Sequence, residues 1–389
     1  MEIDRPTALL GGLTPAAFMR RHWQKKPLLV RAALADPLPG FDRRRLFALA
    51  ARDDVESRLV VRDGERWSLR PGPIARRALP PLATPGWSLL VQGVDLHDDA
   101  AHRLLQRFRF VPDARLDDVM VSYASDGGGV GPHIDSYDVF LLQLAGRRRW
   151  RIGRVGRPRL RDDVPLKMLA GFKPVEDWLL EPGDMLYLPP GWGHDGMAEG
   201  ACLTASIGFR APDAAGLAAD ALQRLADATL DAIEDAGTGR ARHLLYADQG
   251  QAATRSPARI PGSLQRFADA AIARATAGAR ARQRALGEAL SEPKPDTWFE
   301  RAAPAALAGA VVLDRKSRML YDDAHVFLNG EAFRAGGRDA TLMRAFADAR
   351  RLEPVARARL SAEAHALLER WVEAGWCRSE EERAGDGDE

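Results

Sequence analysis

Residues 127–150 read GGGVGPHIDSYDVFLLQLAGRRRW, and residues 181–196 read EPGDMLYLPPGWGHDG. In the first stretch a glycine-rich turn runs into an apolar strand, with His133 and Asp135 two residues apart at its start. On a strand that spacing points both side chains to the same face. In the second, a short strand, DMLYLPP, and a Pro–Gly turn deliver His194 to the mouth of a sheet. The flanking runs SRLVV, WSLLVQGV, DVMVSYA, RRWRIG and CLTASIGF are rich in Val, Ile, Tyr and Trp and are punctuated by Gly and Pro. From about residue 55 to 210 they predict an antiparallel β domain.

The rest of the chain has a different texture. A helix is expected from Thr14, an N-cap placed before Pro15, and it leads into a strand at PLLV. Over 212–285, segments such as AAGLAADALQRLADATLDAIEDA carry apolar residues at helical spacing. The apolar faces of such helices must pack on something, and a second copy of the chain is the expected partner. A third unit contains a hairpin with an Asn329-Gly330 turn (HVFLNGEAF), a helix in ATLMRAFADARRL and a last helix in SAEAHALLERWVEAGW. The expected division is 1–211 for the β domain with its N-terminal extension, 212–294 for the helical region, 295–380 for the third unit and 381–389 for a disordered acidic tail.

Composition narrows the class of protein. The 389 residues are 46% hydrophobic and 28% charged, a soluble globular balance, and no apolar run approaches the length of a membrane span. The N-terminus lacks the pattern of a secretory signal, and the two cysteines, Cys202 and Cys377, form no CxxC pair. A cytoplasmic location is expected. With 56 basic and 54 acidic residues the net charge is +2, which gives no reason to expect a protein that coats nucleic acid.

Of the eight histidines, His22, His243, His325 and His365 stand alone and are read as structural or surface residues. His97 and His102 flank two aspartates in HDDAAH, but an i, i+5 spacing separates them on a helix, so a solvated turn is expected there. His133, Asp135 and His194 differ, because two imidazoles and one carboxylate on one side of a metal leave three positions open. That is the arrangement of non-haem Fe(II) oxygenases. At the far end of the apolar strand, alternation sets Arg148 opposite Arg147 and Arg149, with a hairpin expected to return the cluster to the barrel wall. An inward guanidinium in an apolar barrel needs an anion, and a carboxylate such as that of 2-oxoglutarate suits it.

Together the stretches RHWQKKPLLVR, VESRLV, WSLLVQGV, DDVMVS, residues 127–153, residues 181–196 and SIGFRAP resemble the JmjC-type 2-oxoglutarate oxygenases of the cupin superfamily. More narrowly they resemble the bacterial ribosomal oxygenases that hydroxylate an arginine of large-subunit ribosomal protein L-sixteen. The second half of the chain is similar to them in layout alone. The resemblance implies a mixed α+β chain in which a double-stranded β-helix, the jelly roll of the cupin JmjC domain, precedes a helical dimerisation region and a winged-helix-like domain. It places Fe(II) on His133, Asp135 and His194, and the 2-oxoglutarate carboxylate on Arg148 with Ser122 as helper. O2 is the remaining co-substrate, and a ribosomal protein and a second copy of the chain are the implied partners. Asp118 and Tyr137 are candidates to hold a substrate guanidinium, by charge and by cation–π contact. Asp118 capping a turn and Tyr137 packing the barrel mouth are the plainer readings.

Three other functions fit parts of this pattern. One is hydroxylation of a different residue, such as histidine. A second is a cupin of another class, which would lack the Arg148 anchor. The third is a non-catalytic winged-helix protein that binds nucleic acid. LMRAFADARRL mixes acids with its arginines, so DNA binding is not expected.

Overall fold

Strands with apolar residues on both faces, such as WSLLV, belong inside a sheet covered on both sides, and the structure places them there. The computed structural model describes residues 2–236, 245–303, 307–334 and 336–380. His243 and the expected tail 381–389 lie outside the described residues. The chain divides after Ala211 into two units, Met1–Ala211 and Pro212–Glu389.

The first unit is built on β1 (Leu28–Val30), β2 (Ser57–Asp63), β3 (Arg66–Pro71), β4 (Trp87–Val91), β5 (Leu116–Ala124), β6 (His133–Ile134), β7 (Val139–Arg154), β8 (Glu176–Leu180), β9 (Met185–Leu188) and β10 (Trp192–Phe209). All pairings are antiparallel, in the order β1-β9-β7-β10-β5-β4-β2-β3, with β8 on β7 and β6 on β10. The long strands β7 and β10 serve two sheets. Val139–Leu142 and Thr204–Gly208 lie in the large sheet, whereas Arg148–Arg154 and Trp192–Ala198 pair in a small one with β8 and β6. This is a jelly roll.

The change of sheet occurs at Gly146, which has φ +64° and whose Cβ, were there one, would meet Ala201 O at 2.2 Å. Gln143 fixes the bulge, donating from Nε2 to Ala145 O (2.9 Å) and Gly146 O (3.3 Å). The hairpin expected at this point is therefore absent. The chain continues as one bent strand, because the bulge turns it into the second sheet without reversing it.

Alternation splits the large sheet into two environments. Its outer face carries Trp87, Leu89, Val121, Tyr123, Phe140 and Tyr187, and packs on the N-terminal helices α1 (Pro15–Arg21), α2 (Arg43–Ala50) and α3 (Asp99–Gln106) through Phe18, Phe47 and Leu104. Thr14 caps α1 at Ala17 N (3.0 Å), as its position before Pro15 predicts. Asp98 caps α3 at Ala101 N (2.9 Å) and binds Arg45 at 2.6 Å. The HDDAAH segment is thus the start of a helix with a buried cap, not a solvated turn. The inner face is polar near the small sheet, and that is where the site lies.

The second unit opens with α4 (Ala214–Ala236), α5 (Gly262–Ala277) and α6 (Ala279–Ser291). There follow β11 (Ala310–Leu313), β12 (Met319–Tyr321), β13 (His325–Leu328), β14 (Glu331–Arg334), α7 (Gly337–Ala349), β15 (Arg351–Leu352), α8 (Pro354–Arg357), α9 (Ala362–Glu373) and β16 (Cys377–Glu380). Two three-stranded sheets, β15-β11-β16 and β12-β13-β14, enclose a core of Val311, Leu328, Phe346, Leu368 and Trp371. The expected hairpin is present, with Asn329 and Gly330 both at positive φ. In α6 the absence of a side chain at Gly287 admits the Phe327 ring.

Candidate metal and co-substrate site

The ladder between β6 and β10 sets His133 directly across from His194, with ring centroids 4.1 Å apart. Asp135 Oδ2 lies 3.6 Å from His194 Nε2, and a ligand atom from each of the three residues falls within 4.8 Å of the others. Each imidazole is oriented through its other nitrogen, His133 Nδ1 to Gly131 O (3.0 Å) and His194 Nδ1 to Trp192 O (3.2 Å). With both Nδ1 atoms donating to carbonyls, both Nε2 atoms keep their lone pairs for a metal. Burial, reinforced by the neighbouring His133, holds the His194 imidazole well below its ordinary pKa and so keeps it neutral. Burial pushes the Asp135 carboxyl up, opposed by His133 and by a hydrogen bond from Tyr137. The donor set of two neutral imidazoles and one carboxylate on one side fits a divalent cation of the iron type.

Arg148 stands on the inner face of β7, 4% exposed, while Arg147 is exposed and Arg149 pairs at the surface with Asp177 (2.9 Å) and Glu199 (2.7 Å). The alternation read from the sequence is correct. Its Nη1 donates to Ser122 Oγ (3.2 Å) and Thr204 Oγ1 (3.5 Å), its Nη2 to Gly196 O (3.2 Å), and its Cζ lies 4.8 Å over the Trp150 ring. Its Nε is buried with no hydrogen-bond partner, and among the described residues no carboxylate comes within ion-pair distance. A buried guanidinium without a counter-ion is costly, and burial lowers its pKa. Further buried polar atoms have no hydrogen-bond partner: Arg58 Nε, Ser88 Oγ, Gln92 Oε1 and Trp150 Nε1. A dicarboxylate fits this lining.

Cross-strand register explains how these groups meet. Arg58, Leu90, Ser122, Thr204 and Gln143 lie in one row across β2, β4, β5, β10 and β7, all facing inward. Asp118 is on the same face of β5 as Ser122, as expected, and is buried. Its Oδ2 accepts from Gly93 N (2.8 Å), so the turn-capping role is realised by one oxygen. Tyr137 is 39% exposed at the mouth, and its phenol is pushed up by burial and by the charges of Asp135 and Asp118. The structure thus gathers every candidate residue around one interior. Sequence reasoning missed Thr204, Gln143, Arg58 and Trp150. The Trp150 position follows from Arg148 by alternation, but the other three require the strand register.

Residues 103–217 match the JmjC domain family, and residues 277–378 match the ROXA-like winged helix. The chain is a JmjC-domain protein with a ROXA-like winged helix. Over 199 residues this JmjC protein is 40% identical to the ribosomal protein uL16 3-hydroxylase of Escherichia coli, and over 209 residues it is 36% identical to a probable ribosomal oxygenase of Haemophilus influenzae. These alignments cover 50% and 53% of the chain and 52% of each relative, so the chain spans about half the length of the curated relatives it matches. In three dimensions it is similar to the solved structure of YcfD from E. coli, with a TM-score of 0.77 and 29% identity, covering 94% of this chain and 98% of that one. YcfD, a ribosomal oxygenase, has also been solved in complex with cobalt and 2-oxoglutarate, at a TM-score of 0.74 to this chain.

Proposed function

We propose that this JmjC protein is an Fe(II)- and 2-oxoglutarate-dependent oxygenase that hydroxylates a protein side chain, an arginine of a large-subunit ribosomal protein. The observation that carries the proposal is Arg148, a buried guanidinium without a counter-ion in the same interior as the His133, Asp135 and His194 set. Iron bound there would couple the oxidative decarboxylation of 2-oxoglutarate by O2 to hydroxylation of a C–H bond. His133, Asp135 and His194 would hold it. Arg148 fixes the far carboxylate of the co-substrate, with Ser122 and Thr204 holding the guanidinium in place, so the co-substrate arrives oriented. Tyr137, two residues on from Asp135, favours the charged form of that ligand.

The substrate reading draws on charge. An arginine entering the barrel needs a carboxylate for its guanidinium, and Asp118 is a buried carboxylate on the inner wall, on the face of β5 that carries Ser122. Tyr137 offers a half-exposed ring at the mouth. A neutral imidazole would gain little from Asp118, which favours arginine over histidine. The name of the E. coli relative, a ribosomal protein uL16 3-hydroxylase, supports a ribosomal protein as the substrate. A ribosomal protein substrate places the enzyme in the cytoplasm, and among the described residues no helix is long and apolar enough to cross a membrane.

A homodimer completes the proposal, because Leu222 and Leu230 of α4 and Ile272 of α5 are more than half exposed on amphipathic helices. The winged-helix domain is read as a packing or docking unit rather than a DNA reader, since Arg344 of α7 is already engaged with Asp323 O (2.8 Å) and the Tyr321 ring. Mass spectrometry of ribosomal proteins from cells with and without the gene tests the function. Gain of one oxygen on an arginine of a large-subunit protein, only when the gene is present, is the expected result. Identical spectra would refute it.

A further inference from the structure

A second feature lies next to the metal ligands in the chain. Arg58, Val60 and Arg62 occupy alternate positions on β2 and share its inner face. Arg58 stands beside the metal site, where its charge acts on both Asp135 and Tyr137, and it enters no ion pair among the described residues. Its Nε is buried without a partner. Four residues on, roughly 13 Å along the strand, Arg62 lies with its guanidinium 5.8 Å over the Trp67 ring. Trp67 is paired to Arg62 across the β2–β3 hairpin. Arg62 and Trp67 form one wall of a cavity of about 500 Å³. Gly127, Gly128, Gly129, Gly131 and Pro132 of the turn that leads to His133 also line it, and Met168 and Phe172 contribute from the segment after β7. Packing is close at Gly131, which has φ +75° and where a Cβ would meet Met168 Cε at 2.4 Å.

The lining specifies the chemistry of an occupant. Arg151 and Arg161 also line the cavity, but they are paired with Asp195 and Asp163, and Glu65 adds another carboxylate. A phosphate chain would meet acids on both sides of this groove. An extended polypeptide has no net backbone charge, offers carbonyl acceptors to Arg62, and can set apolar side chains against Trp67, Met168 and Phe172. Two stretches of the lining adjoin the metal ligands in the chain: Gly131 and Pro132 lead into His133, and Asp195 and Gly196 follow His194.

We propose that this groove holds the stretch of substrate polypeptide next to the modified residue, with Arg62 donating to its main-chain carbonyls. The inference rests on the reading of the chain as a protein hydroxylase. One side of the target residue then lies in the groove and the other side runs into solvent. Recognition is lopsided along the substrate.

The test uses the full chain loaded with Co(II) and 2-oxoglutarate, which binds without turnover. Two labelled peptides of the cognate uL16 share the target arginine, one extended only N-terminally and the other only C-terminally, and their binding is followed by fluorescence anisotropy. The double variant Arg62→Ala/Trp67→Ala is expected to weaken one of the two by about tenfold or more and to leave the other within about twofold, since loss of an aromatic–arginine pair at an interface is of that order. Peptide-free succinate production with Fe(II) should stay at the wild-type level in this variant. Equal weakening of both peptides, or no change in either, overturns the proposal. So does a labelled single-stranded RNA that binds the wild type and is released by the same substitutions while both peptides stay bound. Lack of succinate production by the wild type would instead count against the oxygenase reading, and the binding data would stand apart from it.

Discussion

Replacing Arg148 by Met should weaken 2-oxoglutarate binding while stabilising the ligand-free protein. The side chain is 4% exposed, makes three hydrogen bonds of 3.2–3.5 Å to uncharged acceptors, and keeps a buried Nε without a partner. A carboxylate arriving there gains two charge-assisted bonds worth about 1.5–3 kcal/mol each, some of it already offset by the bonds it displaces. A net loss of about 3 kcal/mol corresponds to roughly a hundredfold rise in the apparent 2-oxoglutarate requirement. The stability effect has the opposite sign, because no buried carboxylate is orphaned when this guanidinium is removed. Met fills similar volume without a charge, so thermal unfolding without co-substrate should move to higher temperature. The assays are succinate production against 2-oxoglutarate concentration and thermal melts with and without co-substrate, with Arg147→Ala as the exposed control. A co-substrate requirement unchanged by Arg148→Met, or raised equally by Arg147→Ala, would refute the reasoning.

Other expectations follow from the same geometry. Asp135→Ala should abolish succinate production and tight Fe(II) binding while leaving circular dichroism unchanged, and full turnover in that variant would exclude the facial-triad assignment. Asp118→Asn keeps an acceptor for Gly93 N but removes the charge. It should depress hydroxylation of an arginine-containing ribosomal peptide far more than peptide-free turnover, and equal effects on the two would remove the guanidinium role. His194 is held well below its ordinary value near 6.5, so the folded metal-free protein binds fewer protons there than the unfolded chain. Its contribution therefore favours folding less and less as pH falls below about 6.5, and His194→Gln should flatten that part of the stability–pH curve. Light scattering should report a dimer at micromolar concentration, and a monomer across that range would contradict the role given to α4 and α5.

What the sequence determined by itself is periodic and local. The i, i+2 spacing of His133 and Asp135, the inward parity of Arg148 and the shared face of Asp118 and Ser122 all follow from the two-residue repeat of a strand. Thr14 and the Asn329-Gly330 turn follow from local backbone preferences. The hairpin expected after β7 failed because a bulge and a hairpin begin with the same Gly, and only the packing of Gly146 against Ala201 O and the Gln143 clamp distinguishes them. HDDAAH misled for a similar reason: whether Asp98 is solvated or a buried cap depends on Arg45, more than fifty residues away. Tertiary structure alone decided the row from Arg58 to Gln143, since register between strands distant in sequence is set by pairing and bulges that no single strand encodes. It also decided which arginine lacks a counter-ion. Arg148, Arg149 and Arg151 are near neighbours in the chain, but the sheet hands Asp177, Glu199 and Asp195 to the outward two and leaves the inward one for a ligand.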